Sequence, residues 1–140
     1  MGVAQFETKV AVVVRDDLAT WQRLNVTAFL MSGIAARAGP AAIGADYEDA
    51  GGQRYLPLLV QPALVFEASG VKLATARERA ERRGVSIAIY TREMFTTGND
   101  DDNRAAVRAV PSEHLDLVGI GLRAPHRDAD AILRGLSRHP

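Results

Sequence analysis

Four short segments of the chain are rich in apolar and β-branched residues, and none of them alternates cleanly between apolar and polar positions. They comprise residues 9–14 (KVAVVV), 63–68 (ALVFEA), 86–90 (SIAIY) and 117–122 (LVGIGL). A strand that is covered by helices on both faces has this pattern, because neither of its two sets of side chains meets water. The pattern therefore predicts four buried strands of one sheet.

Helices are predicted between these strands and after the last one. They cover residues 21–38, 71–83, 101–110 and 125–137. Ser69 is the predicted cap of the second helix, and Asp17 and Thr20 are candidate caps of the first, because a side-chain oxygen there accepts hydrogen bonds from free backbone N–H groups. Strands that alternate with helices place the chain in the α/β class.

The first helix contains a stretch without any charge, residues 26–36 (VTAFLMSGIAA). A helix that is apolar on every side is normally buried on every side. We therefore expect this helix to lie between the sheet and a second covering surface, for which another subunit is one candidate.

Two regions interrupt the alternation of strands and helices. Residues 43–58 carry the turn sequence Asp49-Ala50-Gly51-Gly52 between two short stretches and predict a β-hairpin. Residues 92–114 form a long excursion that contains the third predicted helix. No internal repeat or low-complexity linker divides the chain, so residues 1–140 are expected to form a single domain.

Composition narrows the functional classes. The 140 residues include 17 basic and 17 acidic side chains and no cysteine. Charge balance argues against a protein that wraps nucleic acid, because phosphate neutralisation needs a basic excess. The lack of cysteine excludes thiol nucleophiles, disulfides and cysteine metal sites. Without a signal pattern or a membrane-length apolar run, we expect a bacterial cytoplasmic protein that has no membrane contact.

Several local motifs have a structural interpretation beside a functional one. Residues 119–124 (GIGLRA) match a dinucleotide-binding fingerprint, but the chain ends after the next helix, without the second strand or the acidic residue that holds a ribose. Glycines in a covered strand commonly permit close helix packing instead. The acidic cluster at residues 99–103 fits a helix N-terminus, and the three histidines are scattered. We therefore predict no cofactor and no metal site.

The most informative group of polar residues follows the first strand. Arg15 and Asp17 lie at the carboxyl end of that strand, where α/β sheets usually bind ligands. The helix behind them carries three polar positions: Arg23, Asn25 and Thr27. Buried polar groups need hydrogen-bond partners, which a ligand or the backbone of the chain itself can supply. Both interpretations stay open at this point.

These residues carry a family resemblance. Residues 9–18 (KVAVVVRDDL) and 117–121 (LVGIG), with the elements between them in order, resemble the type II peptidyl-tRNA hydrolases. Residues 21–30 (WQRLNVTAFL) and 55–62 (YLPLLVQP) resemble an uncharacterised bacterial family of that superfamily. The resemblance implies a three-layer sandwich, with a mixed four-stranded sheet and helices on both faces, and commonly a homodimer.

The chain departs from the catalytic pattern of the family that it resembles. Those hydrolases carry a lysine on the first helix, followed by glutamine at +4 and histidine at +7, and the matching positions here are Arg23, Thr27 and Leu30. Arginine keeps the charge but is a poor proton donor, and leucine does no acid–base chemistry. After the third strand, Glu93 lies near the position of the family's acidic residue.

These observations lead to a first hypothesis, the binding of a small anionic molecule. Arg15, Arg23, Arg92 and the dipole-positive ends of helices would hold its charge, with Asn25 and Thr27 orienting it through neutral hydrogen bonds. A tRNA partner is not favoured.

Two other functional classes remain. Hydrolysis of peptidyl-tRNA or a related ester would use Asp17 or Glu93 as the base, with Arg23 stabilising the developing negative charge. An assembly role would use the uncharged helix as a subunit interface. Whether the protein is an enzyme is left open by the sequence.

Overall fold

A computed structural model of the chain describes residues 6–140. This part forms seven β-strands: β1 (Thr8–Arg15), β2 (Tyr47–Glu48), β3 (Arg54–Tyr55), β4 (Ala63–Ala68), β5 (Ile87–Thr91), β6 (Leu117–Pro125) and β7 (Ser137–Arg138). It also forms four α-helices: α1 (Thr20–Ala38), α2 (Gly70–Arg82), α3 (Asp100–Arg108) and α4 (His126–Leu133). None of these helices is long and apolar enough to span a membrane.

The main sheet is mixed, with the strand order β5-β6-β1-β4-β7. Strands β1 and β4 run parallel, whereas β6 is antiparallel to both β1 and β5. The α/β class is therefore confirmed, and the four predicted strands all belong to this sheet.

The predicted count of four strands is wrong, because β7 adds a fifth strand antiparallel to β4. Its two residues lie in and beyond the predicted last helix, which in fact ends at Leu133. Gly135 adopts a φ of 86°, a conformation that favours glycine. The chain turns back at this point and pairs with Phe66 and Glu67 instead of continuing as a helix.

Central strand β1 separates two hydrophobic clusters. Alternating residues Val10, Val12 and Val14 pack with α1 on one face of the sheet. Ala11 and Val13 belong to the other cluster, which includes the inner faces of α2 and α4. All five of these side chains are buried, as the uninterrupted apolar pattern of the strand predicts.

Helix α1 buries only one of its faces in this chain. Val26, Leu30 and Ile34 point into the core, whereas Leu24 is 67% exposed and Phe29 is 56% exposed. The expectation of burial on every side is therefore wrong for the isolated chain. The uncharged residues 26–36 supply one buried stripe, Val26, Leu30 and Ile34, and an exposed outer face that carries Phe29 among small residues.

The start of α1 also differs from expectation. The helix is capped at Ala19, whose backbone N–H donates a hydrogen bond to the Gln22 side chain, and neither Asp17 nor Thr20 is the cap. The other predicted cap is confirmed, since the Ser69 hydroxyl accepts a hydrogen bond from the backbone N–H of Lys72.

The glycines of the dinucleotide-like motif lie inside β6, beneath α1. A Cβ atom at Gly119 would stand 2.5 Å from Val26, and one at Gly121 would stand 2.8 Å from Ile34. Only glycine permits this close approach of helix and sheet. The packing interpretation of the motif is therefore confirmed.

The hairpin and the excursion form largely as predicted. Strands β2 and β3 pair across the turn at residues 49–52, where hydrogen bonds from the Gln53 N–H and the Tyr55 hydroxyl lower the pKa of Asp49. The excursion begins with a 3₁₀ turn, Arg92–Thr96, and continues into α3. Asn99 caps α3 by accepting a hydrogen bond from Asp102, so acidic residues stand at a helix start.

Candidate functional site

Two arginines and two aspartates form an ion-pair network where β1 and β5 end and β6 begins. Arg15 Nη1 lies 2.9 Å from the Asp116 carboxylate, and Arg15 Nε lies 3.5 Å from Asp17. Arg92 contacts the same two carboxylates, Asp116 at 3.2 Å and Asp17 at 3.5 Å. Each arginine therefore bridges both acids, and the four side chains form the Arg15 network.

The backbone around the Arg15 network explains why Arg15 stays inside it. Its guanidinium also donates a hydrogen bond to the Leu117 carbonyl at 3.0 Å. The start of α2 covers the same group, because a Cβ atom at Gly70 would lie 2.8 Å from Arg15 Cζ. Arg15 thus tethers the end of β1 to the start of β6, and little of its surface is free to bind a ligand.

Arg23 belongs to a different set of contacts. It donates hydrogen bonds to the main-chain carbonyls of Leu18, at 3.0 Å, and Asp16, at 2.6 Å. Its Nη1 atom also lies 3.4 Å from the Glu67 carboxylate and 2.9 Å from His139 Nε2. Arg23 therefore holds the β1–α1 loop together and ties it to β4 and to the end of the chain.

The remaining predicted site residues, Asn25, Thr27 and Glu93, are placed differently from one another. Asn25 Nδ2 points to the Tyr90 hydroxyl at 3.5 Å, and the Thr27 hydroxyl donates to the Arg23 carbonyl one turn back in its own helix. Glu93 is exposed on the 3₁₀ turn. The structure thus brings Arg15, Asp17 and Arg92 together but does not direct Arg23, Asn25, Thr27 or Glu93 to the same point.

A different set of residues lines the open space beside α1. Four aromatic rings lie between α1, the end of β5 and the excursion: Trp21, Phe29, Tyr90 and Phe95. Neighbouring ring centroids are 5.8 Å apart for Trp21 and Phe95, 5.2 Å for Tyr90 and Phe95, and 5.8 Å for Phe29 and Tyr90. Such distances are typical of favourable aromatic contacts. We call the space along these rings the aromatic cleft.

The aromatic cleft consists of two adjoining hollows with shared walls. One hollow, of about 440 Å³, lies along Trp21 and Phe95, and the other, of about 510 Å³, extends along β5 and α3. Both are lined by Phe29, Tyr90 and Asn103. Together they provide the size and the mostly apolar lining of a small-molecule site.

Polar groups are placed at particular points of the aromatic cleft. Burial raises the pKa of Tyr90 above its ordinary value of 10.0, because desolvation disfavours the charged phenolate. The hydroxyl accepts a hydrogen bond from Asn25, which leaves its proton available to a ligand. At the far end, Arg104 pairs with Asp100 at 2.8 Å, and Arg108 also lines the wall.

One wall of the aromatic cleft has a signal in the sequence, although no charged residue belongs to it. Trp21, Asn25 and Phe29 are spaced four residues apart and therefore share one face of α1. Tyr90 and Phe95 come from a strand end and the excursion. Their approach to α1 depends on the tertiary fold, which local spacing does not specify.

Fold and cleft together define an α/β protein with a mixed sheet and a concave, aromatic-lined surface beside its first helix. The model of the family described as "Protein of unknown function (DUF2000)" matches residues 8–140, and the chain belongs to this family. A solved structure of a protein of unknown function from Agrobacterium tumefaciens is similar over 97% of this chain and 100% of that one, with 42% identity and a TM-score of 0.95. No curated protein matches the chain.

Proposed function

We propose that this protein binds a small anionic molecule with a flat apolar body in the aromatic cleft. The observation that carries the proposal is the convergence of four aromatic side chains on one open hollow. Trp21 is 60% exposed and Phe29 is 56% exposed, although both line a concave wall. Covering them with a flat ligand would remove apolar surface from water, which favours binding.

The charges along the cleft favour an anion. The charged residues that line it are Asp100, Arg104 and Arg108. Arg104 and Asp100 pair with each other, which leaves Arg108 as the unmatched charge of the lining. A ligand carboxylate could accept two parallel hydrogen bonds from its guanidinium group. Arg15 and Arg23 are less suited to this role, because their donors already serve carbonyls and carboxylates of the chain.

The proposal is tested by calorimetric titration with 2-naphthoate and its neutral analogue 2-naphthamide. We expect saturable binding of naphthoate that R108Q weakens about tenfold, the order expected for one charge-assisted hydrogen-bonded pair. Binding of naphthamide should change little in R108Q. The matched control is R54Q, because Arg54 is exposed on β3 and its loss changes the net charge equally.

Two results would reject the proposal. One is no naphthoate binding at millimolar concentration, and the other is an equal loss of affinity for naphthoate and naphthamide in R108Q. Equal weakening by R54Q and R108Q would show a general charge effect instead of a contact in the cleft.

Ester hydrolysis on a scaffold like that of the type II peptidyl-tRNA hydrolases is the second candidate. The placement of α1 on one sheet face and of α2 and α4 on the other supports the three-layer architecture of that fold. Asp17 is half-exposed and is held by Arg15 and Arg92 at the end of β1, where a base could meet a substrate. Turnover of peptidyl-tRNA that D17N abolishes would favour hydrolysis, and no turnover above background would reject it.

An assembly role rests on the exposed outer face of α1. Leu24 and Phe29 expose apolar surface that a second copy of the chain could cover. The predicted homodimer would then compete with a ligand for the wall of the aromatic cleft. Light scattering at micromolar concentration tests for this homodimer, and a molar mass equal to that of one chain would count against an assembly role.

A further inference from the structure

A second hollow lies on the opposite face of the sheet, between α2 and α4. It has a volume of about 300 Å³ and is lined almost entirely by arginine: Arg79, Arg82, Arg83 and Arg134, with Ala131 between them. We call it the arginine hollow. It shares no lining residue with the aromatic cleft and takes no part in the function proposed above.

Two of these arginines are held in place by the chain. Arg79 Nη1 donates to the Arg134 carbonyl at 2.9 Å and to the Ile132 carbonyl at 3.5 Å, at the end of α4. Arg83 Nη1 lies 3.0 Å from the Asp128 carboxylate. These contacts orient both guanidinium groups and leave other N–H donors of each group unused.

The other two arginines have no such partner. In residues 6–140, neither the Arg82 nor the Arg134 side chain forms a hydrogen bond or ion pair, and both residues are exposed. Asp128 is thus the one carboxylate within ion-pair distance of the four guanidinium groups in the described residues. The acid nearest in sequence to Arg82, Glu81, pairs with Arg77 instead.

Four like charges around one small hollow repel each other unless an anion lies among them. The C-terminal end of α2 accounts for part of the arrangement, since Arg79 and Arg82 lie in its last turn, where the helix dipole favours positive charge. The partial negative charge at the end of the helix, about half an elementary charge, does not balance the positive charges of the arginines that remain after Arg83 pairs with Asp128. Guanidinium forks that surround one point from two helices match the several acceptor oxygens of a tetrahedral oxyanion.

We propose that the arginine hollow binds a phosphate group, either as inorganic phosphate or as the terminal group of a phosphate monoester. Arg79 and Arg83 form the fixed base of the site, and Arg82 and Arg134 close on the ligand from the solvent side. The hollow is open, so that the alcohol part of a monoester would extend into solvent.

The test is an NMR titration of the arginine side-chain Nε–H signals with inorganic phosphate at constant ionic strength, with chloride as the balancing anion. We expect saturable shifts in the wild type, a Kd at least about tenfold higher in R82Q/R134Q, and no change in the control R37Q/R54Q. The control removes two exposed arginines from elsewhere on the surface and alters the net charge equally. R82K/R134K keeps the charges but loses the forks and should fall between the two.

The same titration with glycerol 2-phosphate, a phosphate monoester, distinguishes a monoester ligand from inorganic phosphate. Binding as tight as that of inorganic phosphate supports a monoester ligand, and much weaker binding supports the free anion. Shifts that chloride reproduces, or an unchanged Kd in a folded R82Q/R134Q variant, would overturn the proposal.

Discussion

The Arg15 network and the aromatic cleft use polar and apolar residues in opposite ways. In the network, Arg15 and Asp17 are close in sequence and pair with each other and with Asp116 and Arg92, so that these four charges are satisfied within the fold. In the cleft, Trp21 and Phe29 of α1 remain open to solvent beside the more buried rings of Tyr90 and Phe95. A dense charge cluster can therefore be a structural tether, whereas exposed aromatic surface in a concave wall is the better candidate for a ligand site.

The largest loss of stability is expected at Leu30, which lines the aromatic cleft and also belongs to the hydrophobic core. Leu30 and Phe29 are neighbours on α1, but Leu30 is 1% exposed and Phe29 is 56% exposed. L30A should lower the free energy of unfolding by about 2–5 kcal/mol, because it leaves a cavity beneath the helix. F29A should cost about 1 kcal/mol, mostly from the lost contact with Tyr90. Urea denaturation measures both, and equal losses would contradict the assignment of an inner and an outer face.

Arginine substitutions compare the two regions directly. R15Q should destabilise the protein by about 1–2 kcal/mol, since charge-assisted hydrogen bonds to Asp116 and Leu117 are lost from a partly exposed site. R108Q, at the rim of the cleft, should change stability by less than about 0.5 kcal/mol. The same denaturation assay serves for both variants. An unchanged free energy of unfolding in R15Q would contradict the role of Arg15 as a tether.

Tyr90 provides a smaller, pH-dependent test. Burial raises its pKa above the ordinary value of 10.0, so that the folded state holds the phenol proton more tightly than the unfolded state does. The resulting stability is fully present below about pH 10 and is lost as the pH rises through the folded-state pKa. Unfolding measured between pH 8 and 11 should therefore show a steeper alkaline loss for the wild type than for Y90F. Identical pH profiles would mean that Tyr90 is no more buried than an exposed tyrosine.

The parts of the fold that depend on local pattern are predictable from the sequence. The apolar runs place all four long strands, and Ser69 and the glycines of β6 are assigned correctly because their roles depend on immediate neighbours. Strand β7 is not predictable in this way, because a strand of two residues is too short to show a periodic pattern. Gly135 alone indicates the turn before it.

The candidate site depends on contacts between distant parts of the chain, and most of it is not predictable. The arginines that appear available at 15 and 23 are bound by Asp116, Glu67 and His139, which lie 44 to 116 residues away in sequence. Phe95 reaches Trp21 only because the excursion folds back along α1. Long-range packing of this kind decides which polar groups remain free, and no local spacing reports it.

Backbone and indole NMR shifts, mapped during a titration with 2-naphthoate, show whether the ligand binds in the aromatic cleft or at the Arg15 network. We predict the largest shifts at Trp21, Asn25 and Asn103, with the signals of Arg15 and Asp116 unmoved. Largest shifts in the Arg15 network, with Trp21 unaffected, would contradict it.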